Sequence, residues 1–191
     1  VEEIIKNNPD VIVIVDEAYI DFGGETALPL IDKYDNLVVV RTFSKSRSMA
    51  GLRIGYAISN PELIKALNDV KYSYNSYTMN RPSLVLGVES IHDDAYFREK
   101  VGQIIATRER FVKEIAELGF TCLPSSANFV FATHESIPAK EIFAAAKENN
   151  IYVRYFDKPR IDNYLRISIG TDAEMDAFVA FLKGYVETKQ N

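Results

Sequence analysis

The apolar positions of this chain change character part-way along it. Asp10 to Val15 is an almost unbroken β-branched run, which predicts a strand buried on both faces of a parallel sheet. Leu37 to Val40 is a second such run, and Gly55 to Ser59 a third, shorter one. Asn60 as N-cap and Pro61 in the first turn open a helix to about Tyr72. Thr78 to about His92 reads as another helix, with Pro82 in its first turn and Leu84, Leu86, Val88 and Ile91 as apolar contacts. Asp94 to Leu118 is a long helical pattern closed by Gly119.

After Gly119 the elements become shorter. Phe120 to Leu123 and Asn128 to Ala132 read as strands around a Pro-Ser-Ser turn. Pro138 to Asn149 reads as an alanine-rich helix, and Ile151 to Tyr155 and Tyr164 to Ile169 as strands. Thr171 with Glu174 forms a capping box before a final helix. The pattern predicts an α/β chain: a mostly parallel sheet over residues 1–95, then a smaller C-terminal α+β domain over residues 96–191. The charged Val1–Asn8 segment reads as the tail of a helix, so the chain is expected to be one part of a longer protein.

Composition narrows the possible partners. The 191 residues carry a net charge of −5, which argues against a broad nucleic-acid footprint. No apolar run approaches the ~20 residues a membrane span needs. The single cysteine, Cys122, excludes an internal disulfide and suits a reducing, cytoplasmic compartment. It reads as a half-buried small hydrophobe on a strand. His92 and His134 have no metal-like spacing and read as surface or helix-end residues; no metal is expected.

Chemistry concentrates where the apolar runs end. Asp16 stands at the C-terminal end of the first strand, where open α/β sheets bind ligands. Such a carboxylate can hold a metal, orient a base, pair with a protonated ring nitrogen, or simply cap the next turn. Tyr19 follows three residues later and can share its pocket. The second strand runs into Thr42-Phe43-Ser44-Lys45, with Gly51 and Arg53 beyond. A lysine there, partly desolvated beside a cation, is expected to be a nucleophilic amine. Arg53 then has an anion to grip bidentately, and Gly51 lets backbone approach closely. Val15-Asp16-Glu17 also looks like an ATPase acidic motif, but the glycine-rich phosphate loop with its lysine is absent, so that reading is disfavoured. Arg154 and Arg166, each in an otherwise apolar strand, would form a dianion site if those strands are neighbours.

Taken together, Asp16-Glu17-Ala18-Tyr19, Thr42-Phe43-Ser44-Lys45, Ala50-Gly51-Leu52-Arg53-Ile54-Gly55-Tyr56 and Leu165-Arg166-Ile167-Ser168-Ile169-Gly170 resemble the fold-type I pyridoxal-phosphate aminotransferases. Ser125-Ser126-Ala127-Asn128-Phe129 and the Arg154–Arg166 pair are similar to the histidinol-phosphate aminotransferase subfamily. The likeness covers essentially the whole chain and corresponds to the second half of such an enzyme. It implies Lys45 as the Schiff-base lysine and proton shuttle, with Asp16 on the pyridinium nitrogen and Tyr19 on the phenolate oxygen. It implies Thr42, Ser44 and Arg53 as phosphate ligands, and Arg154 and Arg166 as ligands of the substrate anion. The implied reaction is transamination of L-histidinol phosphate, a small amino substrate, with the 2-oxo acid 2-oxoglutarate in a homodimer. A decarboxylase of a phosphorylated amino acid, an aromatic aminotransferase and a catalytically incomplete piece are the alternatives. The family's glycine-rich phosphate loop, ring-stacking aromatic and phenolate-contacting asparagine belong to its first half and are not in residues 1–191. The chain by itself is therefore expected to hold cofactor weakly.

Overall fold

The computed structural model describes residues 1–190. They form two compact units, Val1–Glu99 and Lys100 onward, each with its own sheet. The division falls inside a long helix, about one turn beyond the boundary expected at residue 95.

In the first unit, α1 (Glu2–Lys6) precedes β1 (Val13–Asp16), β2 (Leu37–Thr42) and β3 (Gly55–Ile58). The strand order is β1-β2-β3. β1 and β2 are parallel, with Val13 opposite Leu37 and Asp16 opposite Val40. β3 runs antiparallel to β2 because the loop between them holds no crossover helix to return the chain to the same end. One sheet face packs on Ile5, Ala27, Leu37 and Val39, flanked by Val13, Val15 and Ile31. The expected two-sided burial of the first strand is not found. Ile12 and Ile14 are more than half exposed, because unit 1 covers β1 only on the side of Val13 and Val15. α2 (Pro61–Tyr74) and α3 (Arg81–His92) begin on the side chains of Asn60 and Asn80, which accept from Leu63 N and Ser83 N. Gly87 of α3 lies where a Cβ would come 3.0 Å from Ile54 Cδ1.

α4 (Asp94–Ala116) leads into the second unit, where the sheet is antiparallel throughout. Its strands are β4 (Phe120–Cys122), β5 (Phe129–His134), β6 (Arg154–Tyr155) and β7 (Leu165–Ser168), in the order β4-β5-β7-β6. Helices α4, α5 (Ala139–Glu148) and α6 (Asp172–Gln190) supply Phe111, Ile115, Ile142, Phe178 and Leu182 to a core with Val130, Ala132, Leu165 and Ile167. Thr171 and Glu174 form the expected capping box: Thr171 N donates to Glu174 Oε2 at 2.7 Å, and Glu174 N donates to Thr171 Oγ1 at 3.4 Å. α4 ends at Ala116, short of the expected Leu118, and Gly119 follows in the turn at φ 85°, where a Cβ would meet His134 Nε2 at 3.0 Å. His134 is not the surface residue expected from sequence. It is buried at the end of β5, where Nδ1 accepts from Ser136 N and Ile137 N and Nε2 lies 2.9 Å from Leu118 O. It ties the end of α4 to the turn after β5 and engages three backbone groups that would otherwise be left unpaired.

Candidate active site

In unit 1 the residues of interest lie beyond the parallel ends of β1 and β2. Side chains alternate along a strand, so the register that sets Ile14 against Val38 and Asp16 against Val40 puts Asp16, Val40 and Thr42 on one face. Val13, Val15, Glu17 and Arg41 belong to the other face. Asp16 is exposed, and its Oδ1 accepts from Ala18 N at 3.0 Å, starting the turn that carries Tyr19.

The β2 exit is shaped by its own hydroxyls. Thr42 Oγ1 accepts from Ser44 N at 3.0 Å and lies 2.9 Å from Ser44 Oγ and 3.2 Å from Ile54 O. Ser48 N closes on Lys45 O at 3.1 Å and Met49 N on Phe43 O at 3.0 Å, so residues 43–49 form a tight loop with Lys45 near its middle. Lys45 is exposed, not partly desolvated as expected, and its Nζ stands 5.2 Å from the centre of the Tyr19 ring. Arg53 adopts a left-handed backbone, φ 56° and ψ 42°, and its Nη1 donates to Ala50 O at 2.9 Å. Gly51 borders open space, so no neighbour in this structure demands a glycine there. The structure therefore brings Tyr19 to Lys45 and Thr42 to Ser44, with Asp16 at the adjacent strand end.

Glu17, which sequence reasoning passed over, is the most enclosed acid of this region at 5% exposure. Its Oε2 accepts from Arg41 Nε at 2.9 Å and Nη2 at 2.8 Å. Its Oε1 accepts from Ala27 N at 2.6 Å, and the Thr26 hydroxyl lies 2.9 Å from both oxygens. Burial, the largest single influence, pulls the Arg41 guanidinium down, but the hydrogen bonds and charges of Glu17 and Tyr56 together outweigh it and leave it above the ordinary arginine value.

In unit 2, Arg166 of β7 pairs directly with Arg154 of β6 and, on its other side, with Phe131 of β5. Both guanidinium carbons lie over the Phe156 ring, at 5.3 Å for Arg154 and 5.9 Å for Arg166, and Arg166 also covers Phe129 at 5.4 Å. Among the described residues no carboxylate forms an ion pair with either arginine. Two like charges held on adjacent strands without a counterion favour a multiply charged anion.

The chain's donor set fits a phosphorylated pyridine aldehyde. It offers an exposed amine, a carboxylate with one oxygen unpaired among the described residues, a phenol ring beside the amine, and hydroxyl and guanidinium donors at the neighbouring turn. The family model of aminotransferase class I and II matches residues 1–182. The chain belongs to this family. Among the class I and II aminotransferases it is similar to the histidinol-phosphate aminotransferase of Brachyspira hyodysenteriae, at 53% identity over 183 residues, 95% of this chain and 52% of that protein. The enzyme of the same name from Lactococcus lactis subsp. lactis is 50% identical over 190 residues, covering 100% of this chain and 53% of its own length. The chain thus spans about half the length of the curated relatives it matches. The crystal structure of histidinol-phosphate aminotransferase from Sinorhizobium meliloti in complex with pyridoxal-5'-phosphate superposes with a TM-score of 0.82 at 27% identity, over 98% of this chain and 53% of that one.

Proposed function

We propose that the protein carrying this chain is a pyridoxal-phosphate-dependent aminotransferase that exchanges the amino group of L-histidinol phosphate with 2-oxoglutarate, acting as a homodimer in the cytoplasm. The observation that carries the substrate choice is the directly paired, carboxylate-free Arg154 and Arg166, which suits a phosphate dianion and then a dicarboxylate. The similarity to proteins named for that reaction supports it. Among the described residues no helix is long and apolar enough to cross a membrane.

When bound, pyridoxal phosphate supplies an electron sink for the charge left on a deprotonated substrate carbon. The chain's residues do the rest in this reading. Asp16 holds the proton of the pyridine nitrogen, and Tyr19 donates from its hydroxyl to the ring oxygen. Arg53, Ser44 and Thr42 bind the phosphate, Arg53 as the cation. The Lys45 amine would hold the aldehyde carbon and, once the substrate's own amine has displaced it, would be free to move the proton at the amine-bearing substrate carbon. Arg154 and Arg166 bind and orient the substrate anion.

The test uses the complete protein. Pyridoxal phosphate should produce a visible band near ~420 nm that Lys45→Ala abolishes. Histidinol phosphate should be converted to its oxo product with glutamate formed. Arg154→Gln should raise KM for the phosphorylated donor much more than for an unphosphorylated one. Release of carbon dioxide from a phosphorylated amino acid such as threonine phosphate, with no glutamate formed from histidinol phosphate, would assign a decarboxylase, and equal turnover of phosphorylated and plain aromatic donors would remove the substrate assignment.

A further inference from the structure

The turn that carries Tyr19 is fastened to neighbouring chain on both sides of that residue. On its N-terminal side the buried Glu17 accepts from Arg41 of β2 and from Ala27 N and Thr26. On its C-terminal side Asp21 Oδ2 accepts from the hydroxyl of Ser46, the residue next to Lys45. Ser46 is 8% exposed, whereas Lys45 is exposed and holds its amine over the Tyr19 ring. Across Lys45 from Ser46, Ser44 is tied to Thr42. The loop is therefore pinned at both residues flanking the lysine, while the amine makes no hydrogen bond to a carboxylate among the described residues.

We propose that Asp21 with Ser46, backed by Glu17 with Arg41, is a positioning clamp that sets the Lys45 amine against Tyr19. This rests on the reading above, in which Lys45 and Tyr19 serve one bound aldehyde. A long, exposed lysine side chain samples many rotamers, so its reach is governed by where its backbone is held. Reaction geometry tolerates about half an ångström of error, and the flanking pins, with the backbone bond of Ser48 N to Lys45 O, supply that constraint without tying up the amine. Neither carboxylate touches the cofactor in this assignment: Asp16 and Tyr19 face it, and Glu17 and Asp21 hold the turn that presents them.

The test compares Ser46→Ala, Asp21→Ala and the double variant in the complete protein. One arm measures labelling of Lys45 by an amine reagent in cofactor-free protein, mapped by mass spectrometry. The other measures pyridoxal-phosphate affinity and the pH midpoint of the visible band. Each single variant should change the labelling rate and the affinity by about fivefold, the worth of one hydrogen bond. The double variant should be no worse than either single. Amide hydrogen exchange in β2 should be unchanged. Lys45 labelling within twofold of wild type, independent additive effects, or a loss of β2 protection with an unmoved Lys45 would each overturn the clamp. If wild type forms no cofactor band, the proposed function fails, and the labelling arm still decides the clamp.

Discussion

Removing Arg41 should cost unit 1 more than removing Arg41 and the Glu17 charge together. Glu17 has a side chain 3% exposed, and Arg41 supplies both N–H bonds to its Oε2. In Arg41→Met that oxygen keeps only a share of the Thr26 hydroxyl, which also serves Oε1. A buried carboxylate stripped of its cation typically costs 3–5 kcal/mol, and because the Arg41 side chain is 21% exposed, water can partly replace it. We therefore expect about 3 kcal/mol, roughly 150-fold in the opening equilibrium. Adding Glu17→Gln removes the stranded charge, while the amide oxygen still accepts from Ala27 N, so the double variant should recover about 1–2 kcal/mol. The assay is hydrogen exchange of peptides spanning β2, with β5 of the other unit as an internal control, because a global unfolding curve would mix two units. A double variant as unprotected as the sum of the singles would refute the argument.

Two further outcomes follow from titration. Burial alone pushes the Cys122 thiol up to about 11, so its alkylation at pH 8 should run about a hundredfold below that of an ordinary thiol, and fast labelling at that pH would contradict the half-buried strand position. The backbone hydrogen bond from Thr171 holds the Glu174 carboxyl below its ordinary value. With the folded value depressed, that contribution is present above the ordinary carboxylate range and lost as pH falls through the folded value. The gap in hydrogen-exchange protection of α6 peptides between wild type and Glu174→Gln, corrected for the intrinsic exchange rate at each pH, should be open at pH 7 and close on acidification; a gap that persists would show that the cap is not what Glu174 contributes.

The boundaries of helices and strands were legible wherever local chemistry sets them. Asn60 and Thr171 begin helices as their side chains dictate, whereas the helix expected from Thr78 begins at Arg81 on the Asn80 cap and the one expected to reach Leu118 ends at Ala116. What local patterning did not carry was which face of an apolar strand is covered: Ile12 and Ile14 look identical to Val13 and Val15 until their neighbours are known. The residues proposed to carry the reaction, Asp16, Tyr19, Lys45 and Arg53, stood out because each breaks an apolar run or follows one. Glu17 escaped notice because its meaning depends on register. Extending the parallel pairing one residue past Asp16 and Val40 brings Glu17 beside Arg41, and no sequence periodicity states which residue of one strand meets which of the next. His134 was misread for a related reason, since its value lies in backbone groups of Leu118, Ser136 and Ile137 that carry no signature of their own.

The left-handed backbone at Arg53 has a practical side. An L-residue held there gives up about 1–2 kcal/mol that glycine would not, and Ser48 in the same loop is held at a similar angle, φ 56°. An unguided search for thermostable variants would be drawn to glycine at position 53. Engineers working from this scaffold would then gain heat tolerance by deleting the cation assigned to the phosphate, so that position is best frozen in any library.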